Sequence, residues 1–385
     1  MHFLRRGGHG VRILVGALLL ASTVAGISPA LPAAVGATAQ RPGAAAGFVT
    51  TGGLTGVAAT SARDVWAVGH TSLQLLIVHW NGTAWRRVRS PQPRLGGNLT
   101  ATAAVSARNA WAVGYAFTHP HIDALIEHWN GTAWRRVSSP ALAGDGILRD
   151  VAATSASDAW AVGHTVDSAT GPDRPLIERW NGTAWRRVPS PAPASGGSLS
   201  GVAATSPRNA WAVGSTASNT PLIVHWNGAA WRRVPSPRPG GHRLLTDVAA
   251  TSASNAWAVG FISTIGNLTG PGKTLIERWN GTAWRRVPSP TPADGGFLLG
   301  VAVGGNGSAW AVGFTGTLNS PKQVLIEHWN GTIWRRVPST AAAGAALGDV
   351  AVISERGAWA VGSTSGDNGN TVIMHWNGNT WKAGG

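Results

Sequence analysis

The sequence predicts an all-β protein, a seven-bladed β-propeller with four antiparallel strands in each blade. Three observations support this prediction. The 385 residues include 21 tryptophans, which fall into three sets of seven, each set in its own recurring motif. The repeat is about 49 residues long, the size of a four-stranded propeller blade. The 52 glycines, 23 prolines and a charged fraction of only 12% are typical of many short strands joined by tight turns.

Each repeat reads as four strands, labelled A to D from the inside of the ring outwards. Strand A is of the Val-Ala-Ala-Thr-Ser type, strand B is Ala-Trp-Ala-Val-Gly, strand C ends in His-Trp or Arg-Trp, and strand D is Trp-Arg-Arg-Val. A Ser-Pro step after most D strands stops pairing and leads to the next blade. The tryptophans of strands B, C and D are, in that order, Trp66, Trp111, Trp160, Trp211, Trp257, Trp310 and Trp359; Trp80, Trp129, Trp180, Trp226, Trp279, Trp329 and Trp376; and Trp85, Trp134, Trp185, Trp231, Trp284, Trp334 and Trp381. Because blades splay apart towards the outside, we expect these indoles to fill the gaps between them. The alternative is an exposed platform on which sugars stack.

An Asn-Gly pair follows every strand-C tryptophan and is the strongest signal for a two-residue hairpin, in which both turn residues have positive φ. Such a loop places Val78 opposite Trp85. The same register places four glutamates diagonally from four arginines, which predicts structural ion pairs rather than an active site because the pattern recurs. The pairs are Glu127 with Arg136, Glu178 with Arg187, Glu277 with Arg286, and Glu327 with Arg336.

Residues 1–39 read as a secretory signal, and residues 40–385 as one propeller domain. A basic start with Arg5, Arg6 and Arg12 precedes an apolar run over 13–27, and small residues then allow cleavage after Ala39 or Ala37. An uncleaved N-terminal anchor is the alternative. We expect a secreted protein, extracellular or associated with the cell wall, with no membrane contact after cleavage. The blades span about 50–93, 94–142, 143–193, 194–239, 240–292, 293–340 and 341–385.

The formal net charge of +15 falls to +12 when the three arginines of the signal are removed. A basic exported protein could favour anionic surfaces such as acidic polysaccharides. However, twelve arginines lie in the Trp-Arg-Arg triplets of strand D, where charge on an edge strand blocks pairing with other chains. A nucleic-acid surface would instead concentrate its charge on one face. We therefore expect a solvated perimeter and no nucleic-acid partner.

The sequence contains no cysteine, which excludes disulfides, thiolate metal sites and a cysteine nucleophile. It also contains no Gly-x-Ser-x-Gly motif and no recognisable Ser-His-Asp arrangement. We assign no catalytic residue, no metal ligand and no cofactor. Whether the protein is an enzyme stays open at this point, with a non-enzyme favoured.

Loop lengths supply the clearest functional signal. The strand-B glycine and the strand-C tryptophan are separated by 11, 15, 17, 12, 19, 16 and 14 residues in the seven repeats, whereas all other spacings are nearly constant. In a propeller the B–C loops and D–A connections share one face, here called the variable face. Variable loops on a rigid scaffold are usual binding sites, although ordinary polar loops are the alternative. The ligand-binding candidates there are His70, Tyr115, His119, His121, His164, Asp173, Arg174, Phe261 and Phe314. Their mixture of aromatic, amphipathic and charged groups suits a sugar or peptide. His119 and His121 lack any firm metal-binding motif.

A second candidate set lies ten residues before the strand-B tryptophan, where three repeats carry an aspartate. Asp150, Asp247 and Asp349 are expected to surround the channel mouth on the variable face. They could bind a cation or a polar ligand, or simply hydrate the channel, and hydration is favoured because no complementary ligand set is evident.

The order Trp-Ala-Val-Gly, variable loop, Trp-Asn-Gly-x-x-Trp and Pro-rich step resembles the kelch repeat over residues 52–385. One glycine replaces two, Trp replaces Tyr, and Asn-Gly replaces the Asp turn. The hairpin is also similar to Asp-box and photosystem-assembly-factor propellers, and the tryptophan rhythm to seven-bladed fucose-binding lectins. The resemblance implies a propeller like the central domain of galactose oxidase. The Tyr–Cys crosslink of that enzyme's copper site is impossible without cysteine.

Ring closure and function complete the expectations. No strand is left to join the first blade to the last, so we expect residues 48–51 to add a strand to blade seven. The leading functional prediction is a monomeric, non-catalytic binding or scaffold module for an extracellular glycan or protein. A polysaccharide-acting hydrolase or lyase on the same face is the alternative, and a purely structural wall protein is the third.

Overall fold

A computed structural model describes residues 48, 50–166, 171–191, 193–237, 242–263, 270–305, 307–365 and 369–384. These residues form 28 strands in seven four-stranded antiparallel sheets, each in the chain order A-B-C-D. Strand A of each blade contacts strand A of the next, and the last contacts the first, so the sheets form a closed ring. The predicted seven-bladed β-propeller is confirmed. In the described residues no helix is long and apolar enough to cross a membrane. The predicted signal lies outside them.

The strands are numbered β1 to β28 along the chain, four to a blade. The A strands are β1 (Gly53–Ser61), β5 (Gly97–Ser106), β9 (Asp145–Ser155), β13 (Gly197–Ser206), β17 (His242–Ser252), β21 (Gly296–Val303) and β25 (Ala345–Ser354). The B strands are β2 (Asp64–Thr71), β6 (Asn109–Thr118), β10 (Asp158–Val166), β14 (Asn209–Thr216), β18 (Asn255–Ser263), β22 (Ala309–Thr317) and β26 (Gly357–Thr364). The C strands are β3 (Gln74–Trp80), β7 (His121–Trp129), β11 (Arg174–Trp180), β15 (Pro221–Trp226), β19 (Lys273–Trp279), β23 (Ser320–Trp329) and β27 (Thr371–Trp376). The D strands are β4 (Trp85–Arg87), β8 (Trp134–Val137), β12 (Trp185–Arg187), β16 (Trp231–Arg233), β20 (Trp284–Arg286), β24 (Trp334–Arg336) and β28 (Trp381–Ala383).

The tryptophans pack between blades, as predicted. Trp66 of strand B stacks on His79 of its own blade, with ring centroids 4.2 Å apart. Across the gap it meets Trp129 at 5.0 Å and Trp134 edge-on at 5.2 Å, both from blade two. The other strand-B tryptophans repeat this arrangement, with Arg in place of His in blades three and five. All seven are at most 2% exposed, and the strand-D set is also buried. The alternative of an exposed stacking platform is therefore wrong for these two sets.

The loop between strands C and D differs from the prediction. It has four residues, because Trp80 pairs directly with Trp85, and Val78 faces Arg87. Only Gly82 has a positive φ, of 94°. Asn81 keeps an ordinary φ and instead caps the loop through its side chain, which accepts hydrogen bonds from the backbone N–H groups of residues 83 and 84, each at 3.0 Å. The side-chain bonding of asparagine, rather than its tolerance of left-handed backbone, explains its recurrence.

The expected glutamate–arginine ion pairs are also absent from the part of the chain that the structure describes. Glu178 lies directly opposite Arg187, yet the carboxyl group is fully buried while the arginine is exposed. Glu178 accepts instead from the hydroxyl of Ser139 at 2.7 Å, in the Ser-Pro step of the preceding blade. Glu277 is bound in the same way by Ser236 at 2.9 Å. These glutamates therefore join neighbouring blades.

Burial also changes the protonation of these glutamates. It raises the pKa of Glu178 and Glu277 to about 7, against the opposing effect of the serine hydroxyls. It raises the pKa of Glu127 and Glu327 to about 8. All four carboxyl groups consequently carry a proton over part or all of the neutral pH range. The exposed strand-D arginines form the predicted solvated perimeter.

Residues 50–52, which precede blade one, contact blade seven. Thr51 and Asn370 form one antiparallel bridge, and the N–H of Thr371 donates to the carbonyl of Thr50 at 2.9 Å. Phe48 packs against the cluster shared by blades one and seven. The added strand predicted for residues 48–51 is thus present as a single bridge. Trp359 also closes the ring, because it packs on Trp80 and Trp85 of blade one.

Candidate functional site

A cavity of about 320 Å³ opens at the axis of the ring on the variable face. All seven blades contribute to its lining, through strand A and the end of strand B. Two B–C loops reach its rim, with Ser72 and Leu73 from blade one and Leu318 from blade six, and Pro321 lines it from the start of strand C. The cavity therefore lies where the repeats differ most in sequence.

A β-bulge in every strand A shapes this cavity. In blade one, Leu54 pairs with Gly69 and Gly56 with Val68, so Thr55 is the extra residue. A bulge bends a strand and re-aims its side chains, so two successive residues can face the same side. The bulged residues of blades one to seven, all of which line the cavity, are Thr55, Thr100, Arg149, Ser200, Thr246, Leu299 and Gly348.

The three predicted aspartates follow the bulge in blades three, five and seven, and each joins two blades. Asp150 accepts hydrogen bonds from the backbone N–H of Val151 at 2.8 Å and from that of Val202, in blade four, at 2.7 Å. Asp247 and Asp349 repeat this pattern with blades six and one. Three carboxylates thus satisfy six equivalent N–H groups. The favoured expectation, that these aspartates simply hydrate the channel, overlooked this structural role.

Close packing at the axis explains the residues between the aspartates. The corresponding positions of blades four, six and one hold Gly201, Gly300 and Gly56. A Cβ on Gly201 would lie 2.7 Å from the Cα of Asp247, and one on Gly300 would lie 2.8 Å from the Cα of Asp349. Glycine is therefore required wherever the next strand A approaches this closely. Blade two carries Ala101 and completes the circle.

Desolvation in the channel raises the pKa of all three aspartates. The pKa of Asp150 rises to about 7 and that of Asp349 to about 6, although the N–H bonds oppose the change. The pKa of Asp247 is raised well above its usual range by burial and by the charges of the other two. The ring is therefore less negative at neutral pH than three carboxylates would suggest.

Arg149 introduces the one cationic side chain among the residues that line this cavity in the described part of the chain. Its Nη1 atom is shielded from solvent and has no hydrogen-bond partner. Burial lowers the pKa of Arg149 to about 10, while Tyr115 and Asp173 oppose the change electrostatically. The guanidinium therefore stays charged at neutral pH.

Seven of the twelve predicted ligand-binding residues line the cavity: His70, Tyr115, Asp150, Asp247, Phe261, Phe314 and Asp349. Phe261 and Phe314 are buried and pack on either side of Phe297, at 4.8 and 5.0 Å, so they form its wall. Burial lowers the pKa of His70, which favours its neutral form. These seven predicted residues therefore lie together around one cavity.

The other five predicted residues lie outside the cavity lining. His119 and His121 are exposed, and the Nδ1 atom of His121 lies 3.3 Å from Asp145. His164 is buried, and burial together with the positive charge of Arg149 lowers its pKa to about 3. Arg174 is the first residue of β11 in blade three, and Asp173 immediately precedes it. Among the residues that the structure describes, no group of three or more potential ligands could hold a metal ion.

Arg149 was not among the residues singled out from the sequence. Regular strand alternation puts residues 149 and 150 on opposite faces, and only the bulge brings both to the channel. Comparison of the seven repeats eleven residues before the strand-B tryptophan could have revealed it. Six blades carry a small or apolar residue at that position, and one carries arginine.

Comparison with known proteins identifies the fold only. No protein-family model matches the sequence, and no curated protein matches it. The solved structure of YCF48 from Cyanidioschyzon merolae is similar, with 17% identity and a TM-score of 0.54, over 84% of this chain and 96% of that one. A structure of YCF48 bound to a D1 peptide has 13% identity and a TM-score of 0.55, over 84% of this chain and 95% of that one.

A GH74 xyloglucanase from Xanthomonas campestris has 16% identity and a TM-score of 0.61. The match covers 88% of this chain but 56% of that one, so this protein spans about half the xyloglucanase. At these identities the likeness concerns the propeller fold. Neither YCF48 nor the xyloglucanase tests the kelch resemblance, which stays a prediction from the repeat motif.

Proposed function

We propose that this protein is an exported, non-catalytic recognition module that binds an extracellular glycan or protein through its variable face. The observation that carries the proposal is the axial cavity, because it is lined by the positions at which the seven otherwise similar repeats differ in sequence. The opposite face is formed by uniform four-residue loops with one repeated capping pattern. Binding specificity on a repeat scaffold resides in the positions that vary.

The chemistry of the cavity suits recognition better than hydrolysis. A hydrolase or lyase would need carboxyl groups that are free to reach a substrate. Both oxygens of Asp150, Asp247 and Asp349 already accept backbone N–H groups, so these residues are used in holding blades together. The structural neighbours support a binding role only in general terms, because one of them is described as bound to a peptide.

The test uses the mature chain, residues 40–385, on a glycan array and a peptide library. Tyr115→Ser is the informative variant because blade four carries Ser215 at the equivalent position. Thr83→Ala, in a C–D loop of the opposite face, is the matched control. We expect the first variant to weaken binding at least fivefold and the second to bind like the wild type. Binding that depends on Thr83 but not on Tyr115 would contradict the proposal, as would failure of the wild type to bind any probe.

Export and oligomeric state are proposals that rest on the sequence. A full-length chain expressed in a secreting host should appear outside the cell without residues 1–39, or without residues 1–37. Retention of an intact N-terminus on the membrane would contradict cleavage. Light scattering of the mature protein should give the mass of a monomer.

A further inference from the structure

Arg149 departs from the pattern of its own repeat. In blades one, two and five the bulged residue is a threonine whose hydroxyl lies within hydrogen-bond distance of two carbonyl groups, one in its own strand B and one in the next blade. Thr55, for example, donates to the carbonyl of Leu99 at 2.7 Å and lies 3.2 Å from that of Val68. Thr100 and Thr246 make the equivalent contacts. Arginine cannot reproduce this short link, so blade three has exchanged a structural hydroxyl for a long cation at the cavity.

The guanidinium of Arg149 is only partly satisfied by hydrogen bonds within the protein. Its Nη1 atom is out of reach of water and makes no hydrogen bond. A cationic N–H group that is shielded from water and makes no hydrogen bond carries a desolvation cost. The electrostatic neighbours are the hydroxyl of Tyr115 and the carboxyl of Asp173, whereas His164 behind it is neutral at physiological pH. A ligand that supplied an anion would remove this cost.

The surroundings restrict what kind of anion fits. Asp150, Asp247 and Asp349 lie in the lining of the same cavity, so a dianion such as phosphate would be repelled more than a monoanion. A guanidinium matches the planar geometry of a carboxylate with two parallel hydrogen bonds. The remaining wall is largely apolar, with Phe117, Phe261 and Phe314 in the lining.

At the rim of the cavity, Leu73 is 58% exposed, a large apolar side chain open to solvent. The N–H of Gly97 donates to its carbonyl at 2.9 Å, which holds the backbone of Leu73 at the rim. An apolar group that entered the cavity would cover it. The charge and the apolar rim therefore lie within one binding volume.

We propose that the cavity binds a carboxylate attached to an apolar group, with Arg149 as the anchor of the carboxylate and the phenylalanine wall around the apolar group. This inference rests on the proposed function and specifies the ligand of the same face. The sources of such a group are a small free acid and the C-terminus of a peptide chain.

The experiment measures binding to the mature protein by isothermal titration calorimetry. The probes are N-acetyl-L-phenylalanine, its uncharged amide, and 3-phenylpropionate. Arg149→Thr is the test variant, since it restores the residue of three other blades and should fold. Arg187→Thr, on the exposed perimeter of the same blade, is the control. We expect N-acetyl-L-phenylalanine to bind the wild type at least tenfold more tightly than it binds Arg149→Thr, and at least tenfold more tightly than the amide binds.

Several results would overturn the inference. Equal affinity for the acid and the amide, or undiminished binding of the acid to Arg149→Thr, would show that Arg149 is not an anchor. Tighter binding of glucuronate than of N-acetyl-L-phenylalanine would replace the apolar ligand by an acidic sugar, and tighter binding of inorganic phosphate would overturn the preference for a monoanion. Equal binding of 3-phenylpropionate indicates a small free acid, whereas a preference for a peptide ending in phenylalanine indicates a chain terminus, and either result supports the proposal. A glycan-array signal that persists in Arg149→Thr leaves the proposed function in place while this inference falls.

Discussion

Replacement of Glu178 by valine should remove part of the stability that the protein loses as the pH rises. Valine is the residue that blades one and four carry at this position, as Val78 and Val224, so the variant uses a solution already present in the ring. Glu178 is fully buried, and burial raises its pKa from 4.5 to about 7. The folded state therefore holds a proton that the unfolded chain releases, and this contribution to stability is complete below pH 4.5 and lost as the pH rises through 7.

The magnitude follows from the size of the shift. Each pKa unit corresponds to about 1.4 kcal/mol, so the free energy of unfolding should lose about 3 kcal/mol between pH 4.5 and pH 8 through this one group. Glu178→Val lacks that loss. At pH 5 the variant should be about 1 kcal/mol less stable than the wild type, because the Ser139 hydroxyl loses its acceptor. At pH 8 it should be about 2 kcal/mol more stable.

The assay is guanidinium unfolding at four pH values from 5 to 8, followed by tryptophan fluorescence. Buried histidines such as His128 and His225 have lowered pKa values and act in the opposite direction, because their neutral form is the folded one. They are shared by both proteins, so the difference between variant and wild type isolates Glu178. Glu355→Val, at an exposed turn, is the control. A difference that stays constant from pH 5 to 8, or that falls as the pH rises, would refute the reasoning.

Three further changes test the architecture by thermal unfolding. Gly201→Ala should destabilise the protein by about 1–3 kcal/mol because the added methyl group meets the backbone of the next blade. Gly305→Ala, which has open space around it, is the control and should be nearly neutral. Equal effects of the two substitutions would contradict the close approach at Gly201. Asp349→Ala should lower the free energy of unfolding by about 2 kcal/mol because the N–H of Val57 loses its acceptor where blade seven meets blade one. An unchanged unfolding midpoint would show that Asp349 does not stabilise this contact. Asn81→Ala should cost about 1–2 kcal/mol because the loop loses its side-chain cap, and a neutral result would show that the side-chain bonds of Asn81 do not stabilise the loop.

The sequence was informative where a physical requirement recurs. Strand-B tryptophans such as Trp66 appear seven times at nearly constant spacing, and only a gap between blades needs so many equivalent indoles. The number of blades, the strand order and the role of the tryptophans were therefore predictable. The position of the cavity followed as well, because loop-length variation marks the variable face.

The features that the sequence did not predict depend on local exceptions to regular strand geometry. The side chain of Asn81 closes a four-residue loop, which moves the register by one pair and removes the expected facing of Val78 and Trp85. The bulge at residue 149 changes which side chains reach the channel, so Arg149 was overlooked. In both cases the conformation of a single residue, rather than a pattern along the chain, decides which side chains face each other or reach the channel.

The way in which three aspartates bind the axial N–H groups in pairs has a consequence for the number of blades. Each aspartate accepts the axial N–H groups of two neighbouring blades, so a ring with an odd number of blades must leave one blade without an aspartate acceptor. Here that blade is blade two, with Ala101 and Thr102. In a ring of six or eight blades, every axial N–H group could share an aspartate with a neighbouring blade. Duplication of an acid-bearing repeat by recombination would therefore set an acid beside an acid at the axis, and deletion of such a repeat would leave a second amide without its acid. The alternation of acidic and small residues around the axis thus ties each acid-bearing blade to the blade that follows it.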